Sequence, residues 1–333
     1  MRRILIAGCL SLCAGLAHAE AAVPDAAFAT GWLDNAYLGR YRSVVAASER
    51  LDASVTALCA GPDARRLDAA RKDWMTAALA WRTMDGAALG PMVLERTGRR
   101  ADFRPTRTAE IEARIAAGDG VDPLNVAARG LPAAEYLLWG DRAPQAQLAR
   151  LKTPARCAYL AGTTTQLVAD LRAVDWPLYR GQLNGAEAYF RRQMLPEAVG
   201  LMLAGLEGTI RLLPRVADAE RDAYAQWRSD STRAALGAQL DGFATGYFGA
   251  DGKGGLAALV REQGHDEVND TVARALAASR AAWRKLPQRL DGGSAAPARK
   301  AFTNAVAALK RSVEGDVADA LDLSLGFNDS DGD

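Results

Sequence analysis

The sequence predicts an all-α protein made of two packed helical bundles. Alanine is abundant along the chain and leucines are scattered between glycines, a composition that favours helices. No stretch shows the sustained alternation of apolar and polar residues that is typical of strands. Near the end of the chain, apolar residues recur every three or four positions and form one stripe: Phe302, Val306, Leu309, Val313, Val317 and Leu321. Long helices with short connections indicate bundles.

Length and charge limit the classes of protein to consider. The chain has 333 residues, 49% hydrophobic and 24% charged, which is enough for a large core and two domains. The formal net charge is +1, so the charge balance gives no indication of nucleic acid or an anionic membrane as a partner.

Residues 1–19 have the pattern of a secretory signal peptide. A charged start precedes an apolar run from residue 4 to about residue 16, and small residues lead up to Ala19. We therefore expect export to the periplasm, with cleavage after Ala19. The apolar run is too short to cross a membrane, and no transmembrane span is expected. Only a few apolar residues precede the lipoprotein-like position Cys9, so a lipid anchor is not expected.

Cleavage would leave two cysteines, Cys59 and Cys157. Two cysteines in an exported protein indicate one disulfide bond. This bond would close a loop of about 100 residues, for which the chain-entropy model gives roughly 4–5 kcal/mol of stabilisation. Two buried thiols are the alternative.

The first half of the chain predicts a series of helices. In order, they cover residues 32–58, 63–85, 106–117, 130–140 and 145–175. Gly61-Pro62-Asp63 ends the first helix and begins the second, with Asp63 as N-cap. Gly90-Pro91 ends the second helical region, and a loop with several arginines follows. Pro154 interrupts the last of these helices.

The second half begins after a boundary at Trp176-Pro177, from which we expect a loop as far as Gly185. Its predicted helices cover residues 187–213, 231–248, 256–263, 266–286 and 302–321. Pro196 predicts either a kink or a break in the first of them. A division near residues 178–186 separates two halves of similar helix content, so the predicted domains are 20–180 and 181–333.

The stretch from Gly130 to Gly140 carries a charge within an apolar segment. Pro132 suits the first turn of a helix, and apolar residues at 136–139 predict that this helix is buried. Glu135 lies among them, so its carboxylate must be paired, hydrogen-bonded or bound to a metal ion. The alternative is that Glu135 interacts with the N-terminus of its own helix.

This stretch resembles the signature of the imelysin family, in which Gly-x-His-x-x-Glu precedes an apolar run. Gly130 and Glu135 match that motif, and Pro132 stands where the family has its histidine. Further segments are similar to the family in the same order: Trp81-Arg82-Thr83-Met84-Asp85, Gly90-Pro91, Asp102-Phe103-Arg104-Pro105-Thr106-Arg107, Trp227-Arg228-Ser229, Gly326-Phe327-Asn328 and Asp331-Gly332-Asp333. The resemblance implies two helical bundles, the first carrying the glutamate motif, and a link to iron acquisition through a periplasmic or outer-membrane partner.

The residues limit the metal chemistry that the family motif would otherwise imply. Pro132 supplies no ligand, and His265 is the one histidine left after cleavage, so a zinc site of the usual kind cannot form. Iron or another hard divalent ion held by carboxylates stays open, with Glu135, Asp85 and Asp102 as the candidates. A peptidase is not expected, since His265 reads as an exposed residue at a helix start; a metal-dependent hydrolase using Glu135 is the alternative.

A polar crevice between the two bundles is the remaining candidate site. We expect Glu135 at its centre, with Asp102 near it and Arg82, Asp85, Arg228 and Ser229 in its walls, because clefts between domains are favoured ligand sites. These residues suit a non-catalytic binding or accessory protein. Two alternatives stay open, which are a salt-bridge network without any ligand and a module that docks onto another protein.

Overall fold

Helices joined by turns make up the part of the chain that the computed structural model describes, namely residues 23–84, 89–141, 146–216 and 218–323. Within these ranges the backbone forms no β-strand. The all-α prediction is therefore confirmed. The expected signal peptide at residues 1–19, Asp85, and the closing motifs from Gly326 onward lie outside the described residues.

The helices follow one another with short connections. Those up to residue 172 are α1 (Ala26–Trp32), α2 (Gly39–Ala60), α3 (Ala64–Arg82), α4 (Pro91–Leu94), α5 (Thr97–Ala101), α6 (Thr108–Ala117), α7 (Gly130–Trp139), α8 (Gln147–Leu151) and α9 (Pro154–Arg172). The later ones are α10 (Trp176–Asn184), α11 (Tyr189–Arg211), α12 (Thr232–Phe248), α13 (Leu256–Glu262), α14 (Asp266–Arg284), α15 (Ala296–Ser312) and α16 (Ala318–Ala320). Segments of π-helix at Leu33–Leu38 and Val313–Val317 join α1 to α2 and α15 to α16.

Helices α2, α3 and α9 form the centre of the first half. Leu51, Val55 and Leu58 of α2 are fully buried, as their spacing predicts. At the turn between α2 and α3, the Asp63 carboxylate accepts a hydrogen bond of 2.8 Å from the backbone N–H of Arg66, which confirms Asp63 as the N-cap of α3.

The predicted disulfide bond is confirmed. Cys59, near the end of α2, is bonded to Cys157, in the first turn of α9, and their Cα atoms are 5.5 Å apart. The bond fixes the two central helices of the first half to each other near one end.

Two predicted loops contain helices. The expected loop after Trp176 is helix α10, because the Asp175 carboxylate accepts from the N–H of Leu178 at 2.9 Å and Pro177 suits a first helical turn. The loop after Gly90 contains the short helices α4 and α5. Of the two outcomes predicted at Pro196, a break does not occur, since α11 continues through it from Tyr189 to Arg211.

Helix α3 of the first half packs closely against α12 of the second. A Cβ atom on Gly242 of α12 would lie 2.2 Å from the carbonyl oxygen of Thr83, so only glycine permits this approach. The guanidinium of Arg40 donates to the carbonyl oxygens of Thr83 at 2.6 Å and Gly242 at 3.0 Å. One hydrophobic core includes helices from both sides of residues 178–186, and the division into domains there stays a prediction.

Within the described ranges, no helix is both long enough and apolar enough to cross a bilayer.

Candidate functional site

Helix α7 is positioned by its first turn. Gly130 has φ +75°, and a Cβ atom there would lie 2.5 Å from the carbonyl oxygen of Ala101, so the glycine lets α7 begin directly against α5. The Trp74 indole N–H of α3 donates to the carbonyl oxygen of Leu131 at 2.9 Å. These contacts place Glu135, whose side chain is completely buried, between α3 and the second half of the chain.

Glu135 makes its hydrogen bonds to the second half. Its Oε1 accepts from the backbone N–H of Ser229 at 3.0 Å and from the Ser229 hydroxyl at 2.7 Å. Ser231 Oγ lies 2.8 Å from Ser229 Oγ and can donate to it. Glu135 Oε2 is buried without a hydrogen-bond partner among the described residues. The carboxylate therefore joins two parts of the chain and does not cap its own helix.

Gln226 connects Ser229 to the charged side chains of Arg82 and Asp102. Its side-chain oxygen accepts from Arg82 Nε at 3.1 Å, while its backbone carbonyl lies 3.1 Å from Ser229 Oγ. Gln226 has φ +58° and is 1% exposed, so its left-handed backbone is held in place by buried contacts on both sides. We call Glu135, Ser229, Gln226, Arg82 and Asp102 the buried network.

Asp102 ends the buried network between two guanidinium groups. Its Oδ2 is 2.8 Å from Arg82 Nη2, and its Oδ1 is 3.1 Å from Arg104 Nε. Burial alone would raise the pKa of Asp102, but the positive charges of Arg104 and Arg82 and their hydrogen bonds outweigh it and hold this pKa below its ordinary value. Asp102 is thus ionised at neutral pH.

Arg228 lies next to the buried network, on the side that faces the solvent. Its Nε and Nη2 are both 2.6 Å from Asp141 Oδ1. Its guanidinium carbon lies 4.6 Å from the centre of the Trp227 ring and 5.4 Å from that of Tyr136, within the range of cation–π contacts. The side chain is therefore fixed by one ion pair and two aromatic rings.

An open cleft of about 760 Å³ lies beside the buried network. Its floor includes Arg104, Trp227 and Arg228, which are half-buried. Its rim carries three exposed charged residues, Glu220, Arg221 and Asp222. We call this space the arginine cleft.

The predicted site residues take two different positions. Arg228 lines the arginine cleft, whereas Glu135, Ser229, Arg82 and Asp102 form the layer behind it. Asp85 lies outside the described residues. Gln226 and Asp141 carry no signal in the sequence beyond their positions next to Trp227 and Gly140, since their importance depends on contacts made by distant segments.

The described residues offer few groups that could hold a metal ion. They contain no cluster of three or more histidine, cysteine, aspartate or glutamate side chains. Pro132 supplies no side-chain ligand atom, both of the described cysteines form the disulfide bond, and His265, whose side chain is 44% exposed, lies 3.5 Å from Glu267 at the start of α14. Two arginines hold the carboxylate of Asp102. The carboxylate oxygen of the buried network that remains for a metal ion is therefore Glu135 Oε2.

Comparison with known proteins agrees with this architecture. An imelysin-like protein from Psychrobacter arcticum 273-4 has a similar structure, with TM-score 0.74, 17% identity, and coverage of 92% of this chain and 100% of that one. An iron-regulated protein A precursor from Parabacteroides distasonis ATCC 8503 is also similar, with TM-score 0.69, 14% identity, and coverage of 88% and 95%. At these identities the likeness shows the fold alone.

No curated protein matches this chain. The family model described as Imelysin, Peptidase_M75, matches residues 37–314, a range that includes the buried network and the arginine cleft. The chain therefore belongs to the imelysin family.

Proposed function

We propose that this protein is an exported, non-catalytic binding protein that assists iron uptake, and that it holds its ligand in the arginine cleft. The observation that carries the proposal is the pair of hydrogen bonds from Ser229 to the buried Glu135. They fix the segment that contains Trp227 and Arg228, and so they shape the floor of the cleft. A cleft of this size in which a few polar side chains are held in fixed positions can hold a small molecule.

The chemistry of the described site residues supports binding more than catalysis. A general base must be free to accept a proton from a reactant. Glu135 Oε1 already accepts two hydrogen bonds, and Asp102 is bound by two arginines. Arginine side chains stay protonated and cannot act as bases. His265 is the N-cap residue of α14 and does not line the cleft.

Two observations support the link to exported iron-uptake proteins. Residues 1–19 have the pattern of a signal peptide, and a structure with the same fold belongs to a protein described as an iron-regulated protein A precursor. A periplasmic location and an iron-uptake partner in the periplasm or outer membrane follow as parts of the proposal.

A hydrolase that uses Glu135 is the second candidate function. Glu135 Oε2 has no partner among the described residues, so this oxygen could bind a metal ion or orient a water molecule. The first proposal differs from this one because it places the ligand in the open cleft and gives Glu135 a positioning role.

The uptake of radioactive iron by iron-starved cells tests the proposal. A strain from which the gene for this protein is deleted would be complemented with one gene copy, encoding the wild type, Trp227→Ala, Arg228→Gln or Arg172→Gln. Arg172 pairs with Glu49 on an exposed surface formed by α2 and α9, and it is the matched control. We expect slower uptake without the protein, full rescue by the wild type and Arg172→Gln, and poor rescue by the two cleft variants. Unchanged uptake in the deletion strain would contradict the proposal.

A further inference from the structure

We infer that the arginine cleft recognises carboxylate groups, so that iron reaches this protein as an anionic polycarboxylate chelate and not as a bare ion. This inference rests on the proposed function and adds the chemical class of the ligand. Three observations support it: unused guanidinium N–H groups at the cleft floor, the size of the cleft, and the absence of a cluster of metal-ligating side chains among the described residues.

The floor of the cleft contains guanidinium donors that are not used within the described part of the protein. Arg104 binds Asp102 through Nε, which leaves both of its terminal nitrogens without a partner there. Arg228 binds Asp141 through Nε and Nη2, which leaves Nη1. A guanidinium group matches a carboxylate in shape and charge, and such hydrogen bonds are stronger than neutral ones.

The acids near the floor are already neutralised. Asp102 is shared between Arg82 and Arg104, so both of its carboxylate oxygens are bound. Asp141 is bound by Arg228, and its side chain is 41% exposed. Among the described residues, the two carboxylates that contact the floor arginines are therefore paired, and a ligand carboxylate there would meet the unused N–H donors of Arg104 and Arg228.

The size of the cleft fits a chelate better than an ion. A volume of about 760 Å³ lies within the range of small-molecule sites, which is roughly 300–1,000 Å³. Trp227 adds an aromatic surface to the floor. Because the described residues contain no cluster of three metal-ligating side chains, a bound iron ion would need oxygen ligands of its own.

Two exposed acids at the rim of the cleft should have opposite effects on the binding of an anion and of a cation. Glu220 and Asp222 lie on the rim and form no ion pair with any described residue. They repel an approaching anion and attract a bare cation, with an effect that salt weakens. The double variant Glu220→Gln/Asp222→Asn should therefore bind an anionic chelate more tightly than the wild type and a bare cation more weakly.

Calorimetric titration of the purified protein with ferric citrate, with citrate alone and with ferrous ion tests the inference. We expect ferric citrate to bind. Arg104→Gln and Arg228→Gln should each weaken that binding at least about tenfold, the loss expected for a charge-assisted hydrogen bond. Arg172→Gln should bind like the wild type, and the rim variant should bind more tightly. Thermal unfolding of each variant shows that it is folded.

The outcomes separate this inference from the proposed function. Ferrous binding without ferric citrate binding, weakened in the rim variant, would overturn the inference and leave the iron role intact. Arginine-dependent binding of citrate that is equally tight without iron would support carboxylate recognition and count against the iron role. Ferric citrate binding that is insensitive to both arginine variants, or no binding of any probe, would overturn the inference.

Discussion

Glu135 of α7 accepts two hydrogen bonds from Ser229, a residue that lies 94 positions later in the chain. The charge of this carboxylate is buried within an apolar helix, where an unpartnered carboxylate would be strongly unfavourable. Ser229 supplies both a backbone and a side-chain donor to the same oxygen. This pair therefore connects the motif helix of the first half to the segment that forms the floor of the arginine cleft.

Replacing Glu135 should destabilise the protein to an extent that depends on the substitution. Glu135→Ala leaves a cavity and an unsatisfied backbone N–H on Ser229, whose hydroxyl keeps the Gln226 carbonyl as an acceptor, so we expect a loss of about 2–4 kcal/mol in the free energy of unfolding. Glu135→Gln keeps an acceptor oxygen, and its loss should be about 1 kcal/mol or less. Urea unfolding measures both values. Equal stability of the alanine variant and the wild type would show that the contact with Ser229 has no energetic importance.

The close approach of α3 and α12 predicts opposite effects of two glycine substitutions. Gly242→Ala places a Cβ atom 2.2 Å from the carbonyl oxygen of Thr83, so the helices must separate, and we expect a loss of about 1–3 kcal/mol. Gly208, inside α11, has no atom within 4 Å of the corresponding position. Gly208→Ala should therefore be neutral or stabilising by up to about 1 kcal/mol. Thermal unfolding of the two variants provides the comparison, and a neutral Gly242→Ala would contradict the packing at this seam.

The disulfide bond should contribute strongly to stability. Cys59 and Cys157 are 98 residues apart, and a loop of this length predicts roughly 4–5 kcal/mol in the chain-entropy model. The double variant Cys59→Ser/Cys157→Ser should unfold at a correspondingly lower urea concentration. Titration of thiols in the unfolded, unreduced wild type provides the control. Two titratable thiols there would mean that the bond does not form.

The pKa of Asp102 predicts a loss of stability in acid. Its pKa in the folded protein lies below the ordinary value of 3.8, so the unfolded chain takes up a proton first as the pH falls. The stabilising contribution of Asp102 is therefore fully present above pH values near 3.8 and is lost as the pH falls through the lower folded-state pKa.

Asp102→Asn tests this pH dependence. The difference in unfolding free energy between the wild type and this variant should be largest near neutral pH and should shrink in acid. Urea unfolding at a series of pH values measures the difference. A difference that stays constant down to low pH would show that the charge of Asp102 has no part in the stability of the network.

The hydrolase alternative predicts a different result from the binding proposal. If the protein is not an enzyme, the wild type should leave unstructured peptides intact at every metal ion concentration. Peptide mapping by mass spectrometry measures this. Cleavage that is present in the wild type and absent in Glu135→Gln would favour the hydrolase.

The sequence predicts the helical class and the local features of this site, because these depend on nearby residues. Helical spacing predicts the buried stripe of α2, the cysteine count predicts the disulfide bond, and the charge within an apolar run predicts that Glu135 is buried and bonded. Helix α10 is not predicted, because Trp176-Pro177 has the pattern of a boundary, although Asp175 and Pro177 together suit a helix start.

The partners of Glu135 and the shape of the cleft could not be predicted in the same way. Gln226, whose backbone is left-handed, joins Arg82 to Ser229 although Arg82 lies 144 residues away in the sequence. Asp141 faces Arg228 across a separation of 87 residues. Such contacts depend on how distant helices pack, and no local pattern in one sequence specifies them.

A crystal structure of the protein grown with ferric citrate, with anomalous data collected at the iron absorption edge, shows directly where the iron binds. We expect an iron peak within the arginine cleft, surrounded by ligand density whose carboxylates contact Arg104 and Arg228, while Glu135 still accepts from Ser229. An iron peak coordinated directly by Glu135, with the cleft free of ligand density, would contradict this expectation.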